Sequence, residues 1–345
     1  MRRVRRAATI DDVAREAGVS RQTVSNVLNA PGVVREATKA RVRLAIDRLG
    51  YAPHASARRL RTQRSSTIGV HLDPFAGGIS GVVLDRFVHA LTERASDRGL
   101  RVLVYSARGP QEEIARLRDL REGGEIDAAV ITGTFSGDPR IGWLDAHGVP
   151  FVSFGRPWGN EPSDGPPHLW VDVDGASGTR AATEHALVTA GADVAFLGWP
   201  AGSATGDDRE RGWREAMVAA GAAEGARLFA EEDVQAARLV ALRAFAAGAP
   251  DAIVCASDTL AVGAHLAAVS AGLAELPIIG FDNTPVAEAL GLASVEQRPE
   301  EVAAGVLELL MGDSGRMIAP RAVASDAPGA PSRSHVLVTP RLVVR

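Results

Sequence analysis

From residue 67 to near residue 280, short apolar runs alternate with amphipathic stretches, and this alternation constrains the fold more than any other feature of the chain. The runs are Thr67–Leu72, Leu100–Tyr105, Ala128–Ile131, Phe151–Phe154, Val194–Leu197, Ala252–Cys255 and Pro277–Gly280. Between them, Val82–Arg98, Gly175–Ala190, Arg211–Ala220 and Leu260–Gly272 carry apolar residues at helical spacing. A strand that is apolar at every position is buried on both faces, and a helix between two such strands covers one of those faces. The pattern therefore predicts parallel sheets with helices on both sides. Any one run is compatible with buried helix, but their repetition is not. The Pro/Gly-rich segments Pro157–Pro167 and Asp326–Ser332 read as loops, and no internal repeat is present.

The first fifty residues follow a different rule. Thr9 with Asp12 three positions on makes a capping-box start, and Ile10, Val13, Ala14 and Ala17 keep helical spacing until Gly18. Ser20 opens a second helix to about Leu28, with Val24, Val27 and Leu28 as its apolar stripe. A third runs from about Glu36 to Leu49, with Val42, Ala45, Ile46 and Leu49 inward and Gly50 as terminator. Two helices joined by a tight Gly-containing turn and braced by a third describe a helix-turn-helix headpiece. The basic segment from His54 to Arg64 is too short for a stable isolated helix and reads as a hinge.

Charge sorts along the same boundary. The net charge of −4 hides a value of +10 over residues 1–64 and −14 over the rest. One end is suited to a polyanion and the other is not. No apolar run approaches the about 18 residues of a membrane span, and the N-terminal arginines lead into Asp11 and Asp12 rather than an apolar stretch. A soluble, cytoplasmic protein is expected. Cys255 is the single cysteine, which excludes a disulfide framework or a Cys-rich zinc site and suits a buried thiol.

Thr9-Ile10-Asp11-Asp12-Val13-Ala14, Ala17-Gly18-Val19-Ser20 and Thr23-Val24-Ser25-Asn26-Val27-Leu28-Asn29 together resemble the headpiece of the lactose/galactose repressor family. The likeness continues through Leu49-Gly50-Tyr51-x-Pro53, Ala57-x-x-Leu60-Arg61, Asp174-Gly175-x-x-Gly178, Arg209-x-x-Gly212-Trp213, Ser257-Asp258-x-x-Ala261-x-Gly263 and Ile279-Gly280-Phe281-Asp282. It spans nearly the whole chain. Asn26, Arg35 and His54 stand where many members have Arg, Ser and Asn, departures that bear on the operator sequence rather than on the fold. The resemblance implies a transcriptional regulator, most simply a repressor of carbohydrate-metabolism genes, forming a homodimer or a dimer of dimers. It implies a headpiece at 1–52, a hinge at 53–66 and a periplasmic-binding-protein-like core at 67–345. The N-subdomain of that core is expected at about 67–172 and 299–331, the C-subdomain at about 173–298 and 332–345.

On the headpiece, Arg21 suits guanine, Gln22 adenine, and Asn26 adenine or a phosphate of an operator in double-stranded DNA. Ser20, Thr23, Ser25 and Asn29 suit phosphate oxygens, and Thr9, Tyr51 and His54 join the expected DNA-facing set. In the hinge, Ala57, Arg58 and Arg61 flank Leu60, an apolar residue amid charge, which is how a minor-groove wedge looks. The alternative for Leu60 is packing on the headpiece.

In parallel α/β sheets ligands sit beyond the carboxyl ends of strands. Asp73, Arg156, Trp199, Asp258 and Asp282 fall there. Carboxylates and guanidinium groups fork onto vicinal hydroxyls and an indole face stacks on a sugar, so the set suits a carbohydrate effector. Phe75 and Trp158 are added as loop aromatics, whose alternative reading is lid packing, and the resemblance implies effector roles for Arg209, Asp258 and Asp282. The alternative readings are a helix cap for Asp258 and a turn for Asp282. A phosphate loop, a G-x-G-x-x-G run, a G-x-S-x-G elbow and an H-E-x-x-H pair are all missing from the sequence, so neither an enzyme nor a cofactor or metal site is expected. The competing classes are a sugar-binding protein whose headpiece does not bind DNA, a nucleobase-responsive regulator, and a hydrolase-like enzyme on a similar core.

Overall fold

The computed structural model describes residues 8–51, 65–72, 79, 81–159, 168–312 and 334–345. The chain divides into two units, Met1–Ser65 and Ser66–Arg345. The hinge residues His54, Ala57, Arg58, Leu60 and Arg61, and the loop residues Asp73 and Phe75, lie outside the described residues.

The first unit holds α1 (Ile10–Ala17), α2 (Arg21–Asn29) and α3 (Glu36–Leu49). Helix α1 starts on a complete capping box, Thr9 accepting from the Asp12 amide while the Asp12 carboxylate accepts from Thr9. It stops at Gly18, where φ is 62° and the Val19 N–H returns to the Ala14 carbonyl. Ser20 caps α2 through the Thr23 amide, whereas Arg35 begins α3 with no side-chain cap. Val13, Val24 and Val42 are fully buried and form the core with Ala14, Ala17, Val27 and Ala45. Two inward expectations are corrected, because Leu28 and Leu49 end up 36% and 37% exposed. Each sits in the last turn of its helix, past the point where the neighbouring helices cover the face.

The second unit contains two six-stranded sheets. The first comprises β1 (Thr67–Leu72), β2 (Arg101–Ser106), β3 (Ala128–Thr132), β4 (Phe151–Phe154), β5 (Leu169–Val173) and β11 (His335–Val338), in the order β11-β5-β4-β3-β1-β2. The second comprises β6 (Val194–Gly198), β7 (Arg227–Phe229), β8 (Ala252–Cys255), β9 (Ile278–Phe281), β10 (Ala293–Glu296) and β12 (Arg341–Val343), in the order β12-β10-β9-β8-β6-β7. All pairings are parallel except β10 with β12. Each sheet has its own apolar core, the first around Ile68, Val130 and Val152, the second around Phe196, Ile253 and Trp213.

The helices that matter for the site are α7 (Gly175–Thr189) and α8 (Ala204–Ala219) of the second lobe and α12 (Pro299–Met311), which packs on β4, β5 and β11 of the first. The chain crosses between lobes after β5, after β10 and between β11 and β12. The third crossing corrects the placing of all of 332–345 in the C-subdomain. Strand β11 completes the first sheet beside β5, and only β12 reaches the second. The edge of β5 would otherwise carry unpaired backbone groups.

Candidate DNA-binding face and effector cleft

Helix α2 buries Val24 and Val27 and thereby turns Arg21 and Gln22 outward. The Gln22 amide donates to Asn26 Oδ1 at 2.9 Å one turn on, so the two side chains form a paired polar edge. Arg21 lies 4.0 Å from Asp11 and is exposed. Ser20 and Thr23 exchange a hydroxyl contact of 2.9 Å at the helix start, where free N–H groups and the positive end of the helix suit a phosphate. Ser25 and Asn26 are half-buried on the same helix. Two other expected contacts have structural tasks. Thr9 is taken up by the capping box, donating to Asp12 Oδ2 at 2.7 Å, and Tyr51 packs against the three-helix core.

In the second unit, a cavity of about 240 Å³ lies between the lobes. Thr132, Thr134, Phe154, Trp158 and Asp172 line it from the first lobe, Thr205, Asp208 and Arg209 from α8, and Gln297 from the crossover. Arg209 is buried: its Nη1 donates to the Ala256 carbonyl at 2.5 Å and lies 3.9 Å from Asp282 Oδ1. Its guanidinium is held over the Phe281 ring at 3.8 Å and the Trp199 ring at 5.3 Å. Burial pulls its pKa down, opposed by the Asp282 and Glu232 carboxylates. Its Nε and the Thr132 hydroxyl are buried without a hydrogen-bond partner among the described residues.

The other expected effector residues stand one layer back or elsewhere. Arg156 reaches Asp172 at 2.5 Å, the Val173 carbonyl at 3.0 Å and Asp208 at 3.7 Å, with Trp158 at 5.0 Å from its guanidinium. It fixes two lining carboxylates rather than lining the cavity. Burial lowers the Arg156 pKa, but Asp172 and Asp208 outweigh it and the net shift is upward. Asp282, at φ 118°, accepts from Gln297 at 2.5 Å and so braces two lining residues, Gln297 and Arg209, from behind. Trp199 faces a neighbouring, outer chamber. Asp258 is a correction: its oxygens accept from the Thr284 amide at 2.7 Å and the Ser294 hydroxyl at 2.6 Å, and it lines neither chamber. Being the first residue of its helix, it points back to brace β10 and the turn after β9.

Sequence reading missed Thr132, Thr134, Asp172, Asp208, Gln297 and Glu232. Asp208 adjoins the Arg209 motif and was findable. Glu232 follows a strand of three residues, which is too short to announce a strand end. Among the described residues no cluster of His, Cys, Asp and Glu fit for a metal is present, and no helix is long and apolar enough to cross a membrane.

Residues 9–54 match the model for bacterial regulatory proteins of the lacI family, and residues 75–304 that for periplasmic binding proteins and the sugar binding domain of the LacI family. The transcriptional regulator CelR of Thermobifida fusca is 31% identical over 299 residues, 82% of this chain and 84% of that protein. Among solved structures, a LacI-family regulatory protein from Chloroflexus aggregans superposes with a TM-score of 0.72 at 31% identity, covering 81% of this chain and 98% of that one. A CelR–cellobiose complex superposes with a TM-score of 0.67 at 25% identity, covering 98% of this chain and 99% of that one. With both parts matched in order, this chain belongs to the LacI family of helix-turn-helix transcriptional regulators, DNA-binding proteins with a periplasmic-binding-protein-like effector domain and not enzymes.

Proposed function

We propose that this regulator is a cytoplasmic repressor of carbohydrate-metabolism genes that binds its operator as a homodimer and is switched by a sugar in the inter-lobe cavity. The observation that carries the sugar reading is the lining itself. The Arg209 guanidinium, the Thr132 hydroxyl and the carboxylates of Asp172 and Asp208 line it together with the Phe154 and Trp158 rings. Vicinal hydroxyls need donors and acceptors side by side, and the apolar face of a pyranose needs a ring. CelR, solved with cellobiose, supports the same class.

At the other end, Arg21, Gln22 and Asn26 are the proposed base readers. Ser20, Thr23, Ser25 and Asn29 are proposed to hold phosphates, with the 53–66 segment entering the minor groove through Leu60. The test is an operator titration, using DNA selected from random sequence by the full chain, with and without a panel of sugars. A sugar that changes operator affinity at least about tenfold, with no effect on random DNA, supports the reading. Sugars that leave both titrations unmoved would overturn the effector assignment but not the DNA-binding one.

A further inference from the structure

We infer that Arg86 is a latch on the hinge between the two lobes, its ion pair with Glu296 holding them in the arrangement seen here. Only its bearing on regulation rests on the effector reading above. Strand β10 of the second lobe ends at Glu296 and α12 on the first begins at Pro299, so the second crossover consists of Gln297 and Arg298. A turn of one lobe on the other has to be absorbed by the backbone of such short connections. Arg298 already sits at φ 58°, a left-handed backbone that a residue with a Cβ keeps only where surrounding contacts hold it.

Arg86 lies on α4 (Gly81–Asp97), which packs against α12 in the first lobe. Its guanidinium reaches both ends of the crossover. Nε and Nη2 donate to Glu300 Oε1 at 3.1 and 2.9 Å, and Nη2 lies 3.1 Å from Glu300 Oε2 and 3.3 Å from Glu296 Oε1. The Glu300 fork is internal to the first lobe and moves with it, whereas the Glu296 contact joins the lobes. Residues 296 and 300 therefore cannot both keep Arg86 if the backbone between them turns. The other Glu296 oxygen accepts from Arg341 at 2.8 Å, at the start of β12, and Arg298 Nη1 donates to the Thr339 carbonyl at 3.4 Å, so the second and third crossovers are tied together. Burial pushes the Glu296 carboxyl up, but Arg341 and Arg86 outweigh it and hold it below the usual glutamate range, so the latch is charged at neutral pH. Gln297, inside the pivot, lines the inter-lobe cavity, and a molecule seated there touches the hinge directly. Arg86 lines neither chamber, so it can set the resting balance of the lobes without meeting a ligand.

The experiment is amide hydrogen exchange on the full chain without ligand, in the wild type, Arg86→Met, Glu296→Ala and the double variant. The Glu301 and Val302 amides, 2.9 and 3.3 Å from the Arg298 carbonyl, report on the pivot. The Asp174 amide donates to the Val338 carbonyl at 2.9 Å, where the end of β11 meets the start of α7, and reports on a connection to which no latch residue belongs. Native-state exchange measures opening, so either single variant should speed all three amides about threefold or more. Because both remove the same contact, the double variant should fall short of the product of the two singles by about threefold. The Ile253 amide, bonded to the Pro277 carbonyl in the second sheet, should keep its wild-type rate, which establishes that each variant is folded. Faster exchange at Glu301 and Val302 with Asp174 unchanged would make Arg86 a brace on α12 alone and overturn the latch. Single effects that multiply in full in the double variant would overturn it too, since Arg86 and Glu296 would then act separately. No ligand enters, so a failure of the sugar titrations leaves this result untouched.

Discussion

At the scale of the residue, Asp258 shows how one carboxylate can mimic a ligand contact and be a brace. It follows a strand end, as a binding residue should, yet both oxygens are spent on Thr284 and Ser294 inside the second lobe. Asp258→Ala strands those two buried donors and should cost roughly 2–4 kcal/mol of stability with no change in ligand affinity. Burial pushes the Asp258 carboxyl up, against the hydrogen bonds from Ser294 and Thr284 that favour its charged form. A raised carboxyl favours the protonated folded state. Its contribution is therefore complete below the ordinary aspartate value of about 3.9 and is lost as pH rises through the raised one. Asp258→Asn stays neutral throughout. Melting curves from about pH 3 to 7 should show the wild type losing ground against Asp258→Asn as pH rises, and the opposite trend would mean that the folded state prefers the carboxylate.

Among the elements, helix packing sets the tightest demands. Gly212 of α8 meets the α7 backbone so closely that a Cβ there would lie 2.0 Å from the Ala176 carbonyl oxygen. Gly212→Ala must push two backbones apart and should cost at least the 1–3 kcal/mol typical of overpacking, about 2–4 °C in melting temperature for each. An unchanged melt would show the contact is loose. The reverse holds at α3, whose N-cap Arg35 supplies no side-chain bond. Arg35→Ser should add about 0.5–2 kcal/mol, read as slower amide exchange through α3. Elements with local signatures were legible. Capping residues Thr9 and Ser20 marked the starts of α1 and α2, Gly18 and Gly50 the ends of α1 and α3, and seven apolar runs marked strands within a residue or two. What failed had buried polar residues in place of apolar ones. Helix α8 begins at Ala204 rather than Arg211 because Asp208, Arg209 and Glu210 are buried where periodicity expects hydrophobes. Strand β5 was unread because Asp172 interrupts its apolar run and is made tolerable inside by Arg156, a partner distant in sequence. The cavity shares that limit. Arg209 was legible by motif and Asp208 beside it was findable, whereas Thr132 and Gln297 line it only because two lobes meet there.

In the whole molecule, DNA binding and effector binding are linked through the core. A residue placement of +10 over 1–64 and −14 beyond it assigns DNA affinity to the headpiece end, so operator binding must fall steeply with salt. The proposed effector cavity has charges that are paired and largely buried, at Arg209, Asp172 and Asp208, and binding there should respond to salt far less. An effector changes operator affinity only as far as it distinguishes two states of the core, and operator must change effector affinity by the same factor. Arg209→Lys separates these terms. It keeps the positive charge but loses the fork and the free Nε, a charge-assisted contact worth about 1.5–3 kcal/mol. Effector should then bind at least about tenfold more weakly. Operator affinity without effector, and its dependence on salt, should stay as in the wild type, because no group facing DNA has changed. Titrating operator at several salt concentrations with and without effector, on wild type and variant, measures all of these. A variant whose effector-free operator affinity also drops would show that Arg209 sets the resting conformation of the core rather than its response to the ligand.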